Sequence, residues 1–312
     1  MTQVHKLIVQ HGREAARRMI SEQEIPYFNI AANILEEESN EVGITYSGFC
    51  LTALPHRRLD DEQNWVRSNG NLSLLIKPGE TKKVPNPRTA DDYRKIGVPY
   101  GSKARLILLY LQTQAVRTNS PVVELGRSMN QWLDRMGVAV GGKTYTEVRN
   151  QAERISRCTL TFDWCDGQTE GFRNGSFVEG GIRLRGLDQQ GDLWDDRVSL
   201  SEAFFRLLKE HPVPVWEPAI RHIAGKSMAF DIYVWLAYRL HVLEKAKPVS
   251  WKAVFDQFGT GATLRYFKPE FRTALAYALS VYPEAKVIED EEGRGLVLHP
   301  SPPPIPERLI GR

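Results

Sequence analysis

The sequence predicts an α+β protein in which the order helix, helix, helix, strand, strand occurs twice. Three observations carry that reading. Apolar stripes of helical spacing recur at a fixed offset, each third stripe is followed by two β-prone runs, and the third stripes carry basic and polar residues on their opposite faces.

Residues 1–95 read as an extension. It holds a charged helical start, a helix around Phe28 to Glu38, and strands in ITYSGFCLTAL and LSLLI, the latter preceded by an Asn69-Gly70 turn signal. TKKVPNPRTADDYRKIGVPYGS reads as the linker into the first repeat. SKARLILLYLQTQAVRT is then a helix-sized apolar stretch opened by Ser102, a residue suited to N-capping, and SMAFDIYVWLAYRLHVL from Ser227 is its counterpart.

The second helices fall at Met129, Trp132, Leu133 and Met136, closed by Gly137, and at Trp251, Val254, Phe255 and Phe258, closed by Gly259. The offset from 129 to 251 and from 137 to 259 is the same 122 residues. Third helices follow at Val148, Ala152 and Ile155 and at Phe267, Phe271 and Ala274, offset by 119. TLTFDW and GIRLRGL come after the first, KVIED and GLVLH after the second. This order describes a winged helix-turn-helix, whose third helix enters a major groove while the hairpin wing lies along the backbone. The units are expected over residues 96–198 and 212–300, joined by the helix of LSEAFFRLLKE at 199–211 and followed by a Pro-rich extended tail at 301–312.

With Val148, Ala152 and Ile155 set inward at 100° per residue, Lys143, Thr146, Asn150, Arg154 and Arg157 turn outward, with Glu147 and Glu153 intruding. In the second unit Arg265, Lys268, Arg272 and Thr273 turn outward, followed by Ala276 and Ser280, small enough to admit a close DNA backbone. Arg and Lys suit phosphates and guanine edges, and Asn suits adenine. A merely solvated helix face would more usually mix Glu and Lys at i, i+4. Asn150, Arg154 and Arg272 are the candidates for base contacts. The first wing offers Arg173, Arg183 and Arg185, whereas the acidic run Glu289 to Glu292 gives the second wing a weaker role.

A rival motif lies ahead of the first third helix. GVAVGGKT at Gly137 to Thr144 matches the phosphate-binding pattern G-x-x-x-x-G-K-[ST]. That loop needs a hydrophobic strand entering it, and MNQWLDRM has helical spacing instead. The segment reads better as a turn before a recognition helix, with Lys143 offered to a DNA phosphate.

Composition narrows the class further. A chain of 312 residues with 42% hydrophobic and 25% charged residues has enough apolar material for about two folded domains. No apolar run approaches the ~20 residues of a membrane span, and charges interrupt the N-terminal stretch, so a cytoplasmic protein is expected. The net charge of +3 permits a polyanionic partner without demanding one. Cys50, Cys158 and Cys165 form no C-x-x-C pair and read as buried thiols. The dispersed histidines give no metal-ligand spacing, and no nucleophile motif such as G-x-S-x-G occurs, so no enzyme, metal or cofactor is expected.

The strings GVPYGSKARLILLYLQTQAVRT, VELGRSMNQWLDRMG, GGKTYTEVRNQAERISRCTLTF, MAFDIYVWLAYRL, VSWKAVFDQFG and LVLHPSPPP, with LPHRR and RSNGNLSLLI upstream, resemble the RepA-type replication initiators of bacterial plasmids. The resemblance spans roughly residues 45 to 306. It implies a non-enzymatic initiator that binds directly repeated sites, iterons, at the plasmid origin, opens the adjacent AT-rich DNA and helps recruit host proteins. The partners implied are duplex DNA, the host initiator, the replicative helicase, and a second copy of the chain in a monomer–dimer equilibrium. The residues implied at DNA are Lys143, Arg149, Asn150, Arg154, Arg157, Arg265, Lys268 and Arg272, with Pro269 in the first turn of its helix. The same double fold would also serve a transcriptional regulator. A rolling-circle nickase would need a metal-binding histidine pair that the chain lacks.

Overall fold

The computed structural model describes residues 2–126, 128–165, 170–180, 197–259 and 263–305. The chain is a mixed α+β protein. Its first part runs α1 (Gln3–His11), α2 (Arg13–Arg17), α3 (Ile25–Leu35), β1 (Val42–Tyr46), α4 (Ser47–Leu51), β2 (Trp65–Asn69), β3 (Leu72–Lys77), β4 (Glu80–Lys82) and β5 (Tyr93–Lys95). Then come α5 (Gly101–Arg117), β6 (Val122–Glu124), α6 (Met129–Arg135), α7 (Gly142–Arg157), β7 (Thr159–Cys165), β8 (Glu170–Gly175), β9 (Val178–Glu179), β10 (Arg197–Leu200) and α8 (Glu202–Glu210). The last part holds β11 (Pro212–Trp216), α9 (Glu217–Ile223), α10 (Ser227–Leu240), β12 (Lys247–Ser250), α11 (Trp251–Phe258), α12 (Leu264–Ser280), β13 (Val287–Glu289) and β14 (Gly295–Leu298).

The chain divides into two compact units: Met1–Gly43 with Phe49–Leu51 and Val213–Arg312, and Ile44–Gly48 with Thr52–Pro212. Residues 1–95 are therefore shared between the units. In the Thr52–Pro212 unit, α5 is buried on nearly every side, which its run of Leu and Ile requires. Helix α7 packs on it through Val148, Ala152 and Ile155, all 1% exposed or less. Ser128 caps α6 by accepting from the Gln131 amide, and Ser201 caps α8 through the Phe204 amide. Gly137 ends the α6 turn at φ 64°, a conformation that favours glycine.

Strands β2, β3, β7 and β8 form one antiparallel sheet in that order. The hairpin expected in the N-terminal extension thus joins the strand that follows α7, with Leu74 opposite Phe162 and Ile76 opposite Leu160. These four side chains are buried and supply the period-two alternation that fixes register. Among the described residues β7 pairs with β3 and β8; the expected second wing strand, GIRLRGL at 181–187, lies outside the described residues.

Three local expectations are corrected as well. ITYSGFCLTAL is a strand only to Tyr46 and then turns into α4, because Gly48 leaves room for the Tyr46 ring where a Cβ would collide with it. The segment expected as a linker contains the antiparallel hairpin β4–β5, built by backbone pairing rather than apolar alternation. Helix α5 starts at Gly101 with Tyr100 as N-cap, so Ser102 lies inside it.

In the other unit, α10 is buried all round and packs on α12. An aromatic cluster fixes α11 against these two helices: Trp235 to Phe258 at 5.4 Å, Phe258 to Phe271 at 5.5 Å and Trp251 to Phe271 at 5.8 Å between ring centroids. Strands β12, β14 and β13 complete this region as a three-stranded antiparallel sheet. The tail packs on the same unit as far as Ile305, which is buried, and Tyr282 donates to the Pro302 carbonyl at 2.6 Å.

The N-terminal helices cover part of α12. Tyr27 of α3 meets Tyr277 edge-on at 4.6 Å, and the buried His5 ring donates through Nε2 to the Ser280 carbonyl at 3.1 Å. Burial lowers the His5 pKa to about 4, against the opposing effect of that hydrogen bond. Ser280 is consequently buried, and the expectation that it offers a close approach to DNA is corrected, whereas Ala276 is half-buried.

Candidate nucleic-acid interface

Helix α7 begins after Gly141, and its outward face is built from Lys143, Thr146, Arg149 and Asn150. Lys143 has 91% of its side chain in water and sits 3.9 Å from Glu147, a distance at which an exposed pair contributes little. Thr146 bonds back to the Gly142 carbonyl at 3.2 Å. The acids on this face are partly engaged: Glu153 accepts from Thr81 at 3.0 Å and pairs with Arg157 at 3.3 Å. Arg157 also donates to the Glu80 carbonyl at 2.8 Å while keeping 42% of its side chain in water. The element entering Gly137–Thr144 is helix α6, so the loop lacks the strand that a nucleotide-binding P-loop has.

Arg154 departs from the outward placement expected of it. It is 3% exposed, pairs with Asp61 at 3.0 Å, donates to the Val98 carbonyl at 3.3 Å and to Asn150 Oδ1 at 2.9 Å, and lies 5.2 Å from the Tyr100 ring. The reason is a segment the helical wheel does not contain. Asp61 and Gly97–Tyr100 cover the flank of α7, and Gly97, at φ 74°, stands where a Cβ would lie 2.3 Å from the Arg154 guanidinium. Arg154 is a core cation that holds the exposed Asn150 by its side-chain oxygen.

On α12, Arg265 is exposed and Lys268 lies 5.3 Å from the Trp251 ring. Arg272 grips Glu289 of β13 with two hydrogen bonds, at 2.9 and 2.5 Å, and stacks 5.2 Å from Trp251. These bonds lower the Glu289 pKa and raise that of Arg272. Thr273 donates to the Pro269 carbonyl at 3.1 Å. Pro269 is the sixth residue of α12 and not part of its first turn, so the helix loses one backbone bond there. The acidic run beyond Glu289 is partly self-neutralised, since Arg294 pairs with both Asp290 and Glu292 at 3.0 Å.

Arg173 on β8 pairs with Glu210 at 3.4 Å and sits 5.8 Å from Trp164. Arg183 and Arg185 lie outside the described residues. Cys50 and Cys158 are buried as expected, whereas Cys165 is exposed. Two features have no counterpart in the sequence pattern: Tyr266, 70% exposed between Arg265 and Phe267, and the cations of the β4–β5 hairpin beside α7. The hairpin has a usable signal in Thr89 and Asp92, which form a capping box between its strands. Among the described residues no cluster could hold a metal ion, and no helix is long and apolar enough to cross a membrane.

An exposed basic helix face on an α+β scaffold defines a candidate DNA-binding protein. The model of the family described as plasmid encoded RepA protein matches residues 98–256, half of the chain, and the chain belongs to that family of plasmid replication initiators. Among solved structures, the chain is similar to domains 2 and 3 of RctB, solved as selenomethionine derivatives, at 14% identity over 79% of this chain and 92% of that chain, with a TM-score of 0.48. A second structure of RctB domains 2–3 is similar at 14% identity over 80% and 93%, with a TM-score of 0.45. No curated protein matches the chain.

Proposed function

We propose that the chain initiates replication of its plasmid by binding directly repeated duplex sites at the origin, with α7 in a major groove as its principal reading element. The observation that carries this is the α7 surface, where Lys143, Thr146, Arg149 and Asn150 lie together on the outward face while the Arg154–Asp61 pair locks the flank behind them. Family membership supports the role in initiation. The finer reading treats both units as winged helices, over residues 96–198 and 212–300. The succession α10, β12, α11, α12, β13, β14, with β14 between β12 and β13, supports it in the second. There Arg265 and Lys268 reach DNA directly, and Arg272 and Thr273 do so from the exposed half of α12. Arg157, Arg173, Arg183 and Arg185 serve the backbone in the first unit. Opening of AT-rich DNA, contacts to host initiator and helicase, and a monomer–dimer equilibrium belong to the same reading. The chain binds DNA without performing chemistry on it.

Footprinting the purified chain on its own plasmid's origin tests the proposal. One chain with two groove-entering helices is expected to protect successive major grooves about 10 base pairs apart within each direct repeat. Protection confined to a single site in a promoter, with the repeats left open, would identify a transcriptional regulator instead.

A further inference from the structure

We propose that the β4–β5 hairpin, Glu80 to Lys95, is a second DNA-gripping element that holds the phosphate backbone beside α7; the inference rests on α7 lying against duplex DNA. The two strands pair with Glu80 opposite Lys95 and Lys82 opposite Tyr93. The loop between them is ordered by its own polar groups. The Lys83 amide donates to the Asp92 carbonyl at 2.6 Å, and the Asp92 carboxylate accepts from the Arg88 amide at 2.8 Å, the Thr89 amide at 2.9 Å and the Thr89 hydroxyl at 3.1 Å. That carboxylate is therefore engaged internally, and the amides hold its pKa below the usual range.

The cations are left differently. Lys82 and Lys83 are exposed and donate to the carbonyls of Pro85 and Asp91, at 3.0 and 2.8 Å, so these bonds leave their charges unneutralised. Arg88 and Arg94 form no ion pair among the described residues. Tyr93, 40% exposed on the same hairpin, adds a hydroxyl of the kind that bonds phosphate. The hairpin's five cations, of which Lys95 pairs with Glu62 at 3.2 Å, outnumber its three acids, Glu80, Asp91 and the internally engaged Asp92, and this net positive surface is complementary to a polyanion.

Its position follows from its anchors. Thr81 donates to Glu153, Arg157 donates to the Glu80 carbonyl, and Gly79 lies so close to the end of α7 that a Cβ would be 2.0 Å from the Arg157 carbonyl oxygen. The hairpin is thus fixed at the C-terminal end of α7. Glu153 lies about 15 Å along the helix from Lys143, at 1.5 Å per residue. A major groove is about 12 Å wide. With α7 in the groove, Lys143 meets one bordering phosphate row and the hairpin meets the other.

The test compares the full chain with its Lys82→Gln/Lys83→Gln/Arg88→Gln/Arg94→Gln variant on a duplex of the plasmid's origin repeat and on a scrambled duplex, over a salt series. The plot of log affinity against log salt should become shallower by about 2 to 4, at roughly 0.9 for each phosphate the hairpin no longer neutralises. Both duplexes should bind more weakly to the same degree, and the thermal melt should hardly move because the replaced groups carry no packing. A slope equal to the parent's would overturn the inference alone if Arg149→Ala still weakens binding. If the parent binds neither duplex, the reading of α7 fails and this inference with it.

Discussion

Replacing Arg154 by alanine is expected to destabilise the Thr52–Pro212 unit by about 2–4 kcal/mol, as removal of one partner from a buried, hydrogen-bonded ion pair does. Arg154 binds three acceptors at once, Asp61, the Val98 carbonyl and Asn150, and its removal leaves the buried Val98 carbonyl without this donor. Asp61 keeps 30% of its side chain exposed and can be partly rehydrated, which puts the loss below that of a fully enclosed pair. Arg154→Lys should recover only part of the stability, because an ammonium cannot reproduce the planar fork. Urea melts of the parent, Arg154→Ala and Arg154→Lys check this. A wild-type midpoint for the alanine variant would show that Arg154 faces solvent.

A larger loss, about 3–5 kcal/mol, is expected for Phe271→Ala, the range for truncating an enclosed phenylalanine in a tightly packed core. Phe271 is fully buried, and its ring meets Trp251, Phe258 and Phe267 at centroid distances of 5.8, 5.5 and 5.4 Å. These rings fix the angle between α11 and α12. Trp251 is also the surface against which Arg272 and Lys268 rest, so the variant should loosen the cationic face of α12 along with the core. Calorimetry should show the transition of this unit moved to lower temperature. An unchanged transition would mean that the cavity closes without cost.

The elements most legible in the sequence are those whose apolar residues repeat with the helical period and are buried for that reason. Trp132 and Leu133 of α6 and Val148, Ala152 and Ile155 of α7 are all in the core. The helical angle locates a Cα on a face but says nothing of what covers the edge of that face. Arg154 shows the consequence, because Asp61, 93 residues away, reaches over it. The same holds for Ser280, covered by His5 across 275 residues. The β4–β5 hairpin, signalled only by the Thr89 and Asp92 capping residues, escapes the apolar pattern for a different reason. Its strands are three residues each, and they are held by backbone pairing, a capping box and anchors to α7, none of which leaves an alternating apolar pattern. Glycine gives partial signals: Gly137 marks a helix end, while Gly48 and Gly97 serve close packing that only the fold discloses.

The central claim is that the exposed face of α7 reads base sequence. It is tested most directly by the affinity of Asn150→Ala for the cognate repeat, for repeats substituted one base pair at a time, and for scrambled DNA, at one fixed salt concentration. The account predicts a loss of about 1–3 kcal/mol on the cognate repeat, discrimination relaxed at one position, and unchanged affinity for scrambled DNA. Equal losses on cognate and scrambled DNA, with discrimination intact at every position, would contradict it and leave α7 as a holder of the backbone only.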